Sequence, residues 1–266
     1  MRFFIAGLAV VACFTLWFCS FQDGSAAALY QRATDILDGR PARSILIVGN
    51  SRTYRNDMPA MLRQIADSAG NPTKFQIESS AYPAATFKTH WNKGRTRRLL
   101  GAGWDEVILQ AESGAQVWQQ GNEEFLSYGQ ELADAAALGQ GRPRLVVGWP
   151  YDAKVYQEPY YSEAGLERAG HLALLREMHA RLASDANLGR IDVAGPWEAV
   201  RLSHPAIKLT TDGNHPSVAG TYLYALAVYR QLSRASVANV SWRPDGLSPT
   251  DAKTIRETVD SVPLVS

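Results

Sequence analysis

Five short hydrophobic runs recur along the chain, at residues 44–49, 75–81, 106–110, 145–148 and 191–194. The first, third and fourth are nearly continuous in Ile, Val and Leu, which is the pattern of strands buried on both faces of a parallel sheet. Between the runs, apolar positions return every three or four residues, the period of a helix with one buried face. Residues 59–69 place Met61, Leu62, Ile65 and Ala66 on one side, and residues 123–138 do the same with Phe125, Leu126, Leu132 and Ala136. Residues 162–186 carry Leu174, Leu175, Met178 and Leu182, and residues 217–232 carry Leu223, Leu226, Ala227 and Leu232. Strand and helix therefore alternate. This predicts an α/β fold, a doubly wound parallel sheet of about five strands with helices on both faces. One more helix is expected near the C-terminus. Ser248 or Thr250 would cap it, Pro249 suits its first turn, and Asp251 suits the positive end of its dipole. Residues 233–249 have the composition of a loop, with no convincing domain boundary.

The first 28 residues follow another pattern. Arg2 precedes an uncharged run at 3–19, a polar break covers 20–25, and Ala26, Ala27 and Ala28 follow. A positive start, an apolar centre and small residues at the exit make a secretory signal. Cleavage is expected after Ala28, leaving 29–266 as a single domain with the extra C-terminal helix. The expected location is periplasmic or secreted. The apolar run is slightly short for a membrane span, yet an uncleaved N-terminal anchor satisfies the same pattern and would be the chain's membrane contact. Cys19 raises lipoprotein processing, against which stand the bulky Leu16, Trp17 and Phe18 before it.

Composition narrows the chemistry. Hydrophobic residues make up 46% of the chain and charged residues 20%, an ordinary globular balance. Cys13 and Cys19 are the only cysteines, so the expected mature chain has neither a disulfide framework nor a cysteine zinc site. His90, His171, His179 and His204 lack metal-ligand spacing, so no metal and no cofactor is expected. A net charge of +1 argues against the basic stripe that a nucleic-acid partner needs. The densest basic stretch, with Lys93, Arg95, Arg97 and Arg98, is expected as a solvated helix face, with contact to an anionic polymer as the alternative.

Two segments carry candidate chemistry. The strand at 44–48 ends in Gly49-Asn50-Ser51-Arg52-Thr53, and a helix is expected to follow. In parallel α/β sheets the C-terminal ends of strands face the binding crevice. A serine there sits among backbone N–H groups that have no intrahelical acceptor, and such donors can stabilise an oxyanion. Alone, this serine is equally a helix cap. The second segment is Asp212-Gly213-Asn214-His215-Pro216, ahead of the helix expected from Ser217. An Asp and a His three apart in a tight loop can bring carboxylate to imidazole, holding one tautomer while the other ring nitrogen faces a nucleophile. The alternative is a polar turn in which His215 is incidental. Aromatic residues cluster after the fourth run as Trp149, Tyr151, Tyr156, Tyr160 and Tyr161, and Trp118 follows the third. Trp149 and Tyr151 are expected as one wall of a substrate cleft that stacks on sugar rings; a packed surface loop is the alternative.

Taken together, a strand-end serine near the start and an Asp-x-x-His loop before the last sheet-packing helix resemble the SGNH, or GDSL, hydrolases. Gly49-Asn50-Ser51-Arg52-Thr53 is similar to that family's first block, Gly-Asp-Ser-x-Thr, and Asp212-Gly213-Asn214-His215-Pro216 to its last, Asp-x-x-His-Pro. The resemblance runs from about Ser44 to Leu232. It implies a three-layer, flavodoxin-like fold and a serine esterase, with Ser51 as nucleophile, His215 as general base and Asp212 as its partner. It further implies three oxyanion donors. One is the Ser51 N–H. The second is the N–H of a glycine after the second strand, but residues 79–86 contain no glycine; Ala84 is the best match, and Pro83 has no N–H. The third is an Asn side chain after the third strand. Glu112, a carboxylic acid, falls there, and Gln110 is the amide in reach. An ionised Glu112 would repel an oxyanion; it would donate only if burial kept it protonated. An ion pair of Glu112 with Arg52, Arg95 or Arg97 is the alternative.

The expected reaction is hydrolysis of a small-molecule or glycan ester outside the cytoplasm, with O-acetyl groups on a glycan as a candidate substrate. Two other readings fit the same residues: acyl transfer to a sugar alcohol with the same triad, and a catalytically weak or silent carbohydrate-binding or accessory protein.

Overall fold

Alternation along the first strand explains the layering of the whole domain. In β1 (Ala42–Gly49), Ile45 and Ile47 point to one face of the sheet, and Leu46 and Val48 to the other. All four are fully buried, so both faces must be covered. The computed structural model that shows this describes residues 39–112 and 114–265. The expected signal, its cleavage after Ala28 and the start of the domain at residue 29 lie outside the described residues. From Ala42 onward the chain forms one compact unit. Among the described residues no helix is long and apolar enough to cross a membrane.

Five parallel strands stand in the order β2-β1-β3-β4-β5, with β2 at Lys74–Ala81, β3 at Glu106–Gln110, β4 at Arg142–Val147 and β5 at Gly189–Asp192. The three-layer, flavodoxin-like architecture expected from the sequence is therefore present. Strand order reverses at β1, which pairs with both β2 and β3. The crevice at the carboxyl ends of β1 and β3 is thus the switch point where such sheets bind ligands.

On one face, Ile45, Ile47, Ile108, Val146 and Ile191 pack in a core that includes α2 (Met58–Ser68), α8 (Ala194–Ser203), α9 (Val218–Ser233) and α10 (Pro249–Ser261). On the other, Leu46, Val48, Val107, Leu109 and Leu145 meet α5 (Gln119–Leu138) and α7 (Arg168–Asp185). Between them in chain order lie the short helices α1 (Ser51–Tyr54), α3 (Phe87–Asn92), α4 (Gly94–Leu100) and α6 (Pro159–Ser162). Helix α9 is buried almost all round, because α2 and α10 flank it. At the opposite end of the sheet from the crevice, Glu106 is fully buried and stays satisfied through Arg43, Arg142 and Arg144.

Two departures from the sequence pattern have local causes. The run at 191–194 ends as strand at Asp192, where the Asp192 carboxylate accepts the Gly195 N–H at 3.0 Å and starts α8. The helix expected over 162–186 begins only at Arg168, with Gly165 in the left-handed region after α6. The basic stretch at 93–98 forms most of α4, with Arg95, Arg97 and Arg98 exposed. The C-terminal helix is capped by Ser248, whose hydroxyl accepts the Asp251 N–H at 3.0 Å.

Candidate active site

The nucleophile turn is shaped by close approach. A Cβ on Gly49 would fall 2.4 Å from Thr53 Oγ1 and 2.8 Å from Gln110 Oε1, so only glycine fits as the chain leaves β1. Asn50 then caps α1, its side-chain oxygen accepting the Arg52 N–H at 3.0 Å. Ser51 is the first residue of that helix, so its own N–H has no intrahelical acceptor.

Gln110, at the end of β3, locks this turn. Its Oε1 accepts the Asn50 N–H at 3.0 Å and the Thr53 hydroxyl at 2.9 Å, and its Nε2 donates to the Ala111 carbonyl. The Asn50 N–H can only donate, so the amide oxygen must face it. Gln110 is thereby taken out of the oxyanion donors expected from sequence and becomes a brace behind the nucleophile.

His90 is a second brace, one that sequence reasoning passed over because it sought metal spacing. It is fully buried, and its Nε2 donates to the Gly49 carbonyl at 2.9 Å; the Tyr82 N–H donates to the same oxygen at 3.2 Å. Burial lowers the His90 pKa to about 4. His179 on α7 is also buried, donates Nδ1–H to the Leu175 carbonyl and is likewise lowered by burial to about 4. Both imidazoles stay neutral in the folded chain down to that pH, whereas in the unfolded chain they gain protons near pH 6.5. Between those values the unfolded state binds more protons, so stability falls as pH falls. A lower melting temperature at about pH 4.5 than at pH 7 is expected, with a smaller drop in His179→Leu; equal drops would remove His179 as a cause.

The loop carrying His215 completes the constellation. His215 Nε2 lies 2.9 Å from Ser51 Oγ, and Nδ1 lies 2.6 Å from Asp212 Oδ2. The other carboxylate oxygen of Asp212 accepts two backbone N–H groups, from Asn214 at 2.9 Å and His215 at 2.7 Å. Partial burial by itself would raise the Asp212 pKa. The hydrogen bonds from the His215 ring and from these two N–H groups outweigh it and hold the carboxyl well below the usual carboxylate range. Gly213 makes the hairpin possible, with φ of +95° and its carbonyl accepting the Asp152 N–H at 2.8 Å.

The nucleophile segment grips both sides of His215. Arg52 Nε donates to Asn214 Oδ1 at 3.0 Å, and its NH1 donates to the Trp149 carbonyl at 2.7 Å. Asn56, in the left-handed region, donates to the Pro216 carbonyl at 3.0 Å and to Thr221 Oγ1 at 2.8 Å. Residues 52 and 56 therefore hold residues 214 and 216, fixing the imidazole opposite Ser51.

Ala84 stands in the left-handed region with φ of 48°. An alanine there costs about 1–2 kcal/mol relative to a glycine, so the loop keeps at a cost the backbone form that suits the glycine of the resembling block. Glu112 accepts the Tyr151 hydroxyl at 3.0 Å. Burial, then the Glu112 charge, pushes the Tyr151 pKa well up, so its hydroxyl remains a donor. Of the arginines weighed as partners for Glu112, Arg95 pairs with Glu78 and Arg97 reaches the Trp91 carbonyl. Arg52 lies over the Tyr151 ring, 5.2 Å from its centroid, with Glu112 on that tyrosine's hydroxyl.

The cleft-wall expectation needs correction. Trp149 and Tyr151 are 1% and 2% exposed, so they back the site and do not line an open cleft. Trp149 stacks flat on Trp197 at 3.9 Å, carries the Arg52 guanidinium on its ring at 4.5 Å, and donates Nε1–H to the Asn214 carbonyl at 3.1 Å. Tyr156 is buried as well, its hydroxyl 2.8 Å from His171 Nδ1. Tyr160 is the exposed member of that cluster.

No family model matches the sequence, and no curated protein sequence matches it. Solved structures do. A protein of Slackia heliotrinireducens described as a candidate SGNH hydrolase is 26% identical, covers 72% of this chain and 99% of its own, and has a TM-score of 0.59. A DUF4886 family protein from Bacteroides uniformis is 14% identical over 82% of this chain and 93% of its own, with a TM-score of 0.69. A catalytic mutant of an acetylxylan esterase from Geobacillus stearothermophilus is 15% identical over 72% of this chain and 94% of its own, with a TM-score of 0.54.

Proposed function

From a chain related to the SGNH/GDSL hydrolases in fold and in motif, we propose an exported serine esterase. The observation that carries this reading is the unbroken relay from Ser51 through His215 to Asp212, at the switch point of the sheet. In this mechanism Ser51 Oγ attacks the ester carbonyl carbon while His215 Nε2 takes its proton. The negative oxygen of the tetrahedral intermediate is met by the Ser51 and Ala84 N–H groups. Collapse expels the alcohol oxygen, which takes the proton from His215 and leaves an acyl-serine. Water then repeats the sequence and frees the acid.

An acetyl ester on a glycan is the substrate we favour, since structural neighbours include an acetyl xylan esterase and, as a different protein, an acetyl-xylooligosaccharide esterase. The same steps with a sugar hydroxyl in place of water would make the chain an acyltransferase. Glu112 favours a second reading, a carbohydrate-binding or accessory protein with weak or no turnover. A carboxylate stands where the resembling family has an amide donor, and losing one such donor typically costs about 10²–10³ in turnover.

A fluorophosphonate probe separates these readings. The parent protein is expected to be labelled and Ser51→Ala is not. Equal labelling of both would sink Ser51 as nucleophile, and no labelling of either would favour the binding reading.

A further inference from the structure

A track of aromatic rings leads away from the nucleophile, growing more exposed as far as Tyr160 and ending at the half-buried Trp118. The Arg52 guanidinium, next to Ser51, sits 5.2 Å from the Tyr151 ring. Tyr151 is 5.1 Å from Tyr161, Tyr161 is 4.9 Å from Tyr160, and Tyr160 is 5.3 Å from Trp118, edge to face. Tyr151 is buried, Tyr161 half-buried and Tyr160 52% exposed. The track ends at an open cavity of about 340 Å³ lined by Trp118, Gln120, Gly121, Glu124 and Tyr160. Glu124 also lines a small neighbouring cavity together with Glu112, two residues beyond β3.

We infer that Trp118 and Tyr160, with Gln120 and Glu124, form an outer sugar subsite that holds a neutral oligosaccharide whose ester lies at Ser51. This rests on the proposed esterase reading and names the part of the substrate that is not the acyl group. Two aromatic rings offer flat apolar faces to the C–H face of a pyranose. The Gln120 amide and the Glu124 carboxylate beside them offer donors and acceptors to the ring's hydroxyls. Tyr160 presents this surface to solvent without a covering element. Glu124 is already paired with Lys88 at 2.7 Å, which leaves no excess positive charge for an anionic sugar and points to a neutral one. An ester on a single small alcohol would not reach the subsite; a chain of several sugars would.

The test uses a panel of partially acetylated xylo-, manno- and galacto-oligosaccharides beside 4-nitrophenyl acetate. Calorimetry with Ser51→Ala protein is expected to show binding to at least one acetylated oligosaccharide, weakened about tenfold when Tyr160→Ala is added. In the parent background, Tyr160→Ala and Trp118→Ala are expected to lower the ratio of kcat/KM for the oligosaccharide to that for 4-nitrophenyl acetate about tenfold. A general structural defect would move both substrates together and leave the ratio alone. An unchanged ratio, or oligosaccharide binding indifferent to Tyr160→Ala, overturns the subsite. Absence of binding to the whole panel while 4-nitrophenyl acetate is hydrolysed overturns the subsite and spares the esterase. Binding that depends on Tyr160 without any hydrolysis does the reverse.

Discussion

Asp212→Asn is expected to cut kcat/KM on 4-nitrophenyl acetate about 10³–10⁴-fold while leaving the fold in place. The reason lies in which atoms face the carboxylate. Oδ1 accepts the backbone N–H groups of Asn214 and His215, and these can only donate. An amide at 212 must therefore keep its oxygen toward them and turn its NH₂ toward His215 Nδ1. Two donors cannot share that contact, so the imidazole takes the tautomer with its proton on Nε2. That nitrogen faces Ser51 Oγ at 2.9 Å and could no longer accept the serine proton. The Asp212 side chain is 50% exposed, so water can relieve part of the mismatch, and the lower end of the range is the fairer expectation. The sign with pH follows from the depressed Asp212 pKa. The carboxylate is ionised throughout the neutral and mildly acid range, so its contribution is lost only as pH falls through its lowered folded value. Steady-state rates beside a melting curve check the claim. A variant with near-parental kcat/KM would mean that Asp212 does not set the tautomer.

Trp197→Ala is expected to destabilise the domain by about 3–5 kcal/mol, the usual range for emptying a large aromatic from a core. Trp197 is 1% exposed and lies parallel to Trp149 at 3.9 Å. Beyond the void, the substitution removes the wall against which Trp149 is held. Trp149 is the donor to the Asn214 carbonyl and the platform under Arg52, and both contacts hold the His215 loop. Slower fluorophosphonate labelling is therefore expected in the surviving folded protein. Urea unfolding supplies the stability change, and labelling well below the unfolding midpoint supplies the rate. A loss under 1 kcal/mol would show that neighbouring side chains collapse into the space, and an unaltered labelling rate would uncouple the tryptophan pair from the loop.

Much of this protein is written in short-range pattern. Short apolar runs mark the five strands, apolar positions every three or four residues mark the helices α2, α5, α7 and α9, and cap residues mark α10, because each of these signals follows from local backbone geometry. Ser51 and the Asp212 to His215 pair were legible for a related reason: a strand-end turn and a three-residue loop are local structures. What the pattern could not supply was the direction of side chains whose partners are far along the chain. Gln110 was weighed as an oxyanion donor, and its partner Asn50, 60 positions earlier, turns it into a brace. Trp149 and Tyr151 were weighed as a cleft wall, and Trp197 and Arg52 bury them beneath the site. Helix α8 has no start signal of its own in the sequence, because its first residue, Ala194, closes an apolar run, and only the bond from the Gly195 N–H to the Asp192 carboxylate shows where the strand stops. Sequence alone determined which residue types stand at the carboxyl ends of the strands. The tertiary structure decided which of them face the nucleophile, because hydrogen-bond direction and burial depend on neighbours that meet only after the sheet has closed.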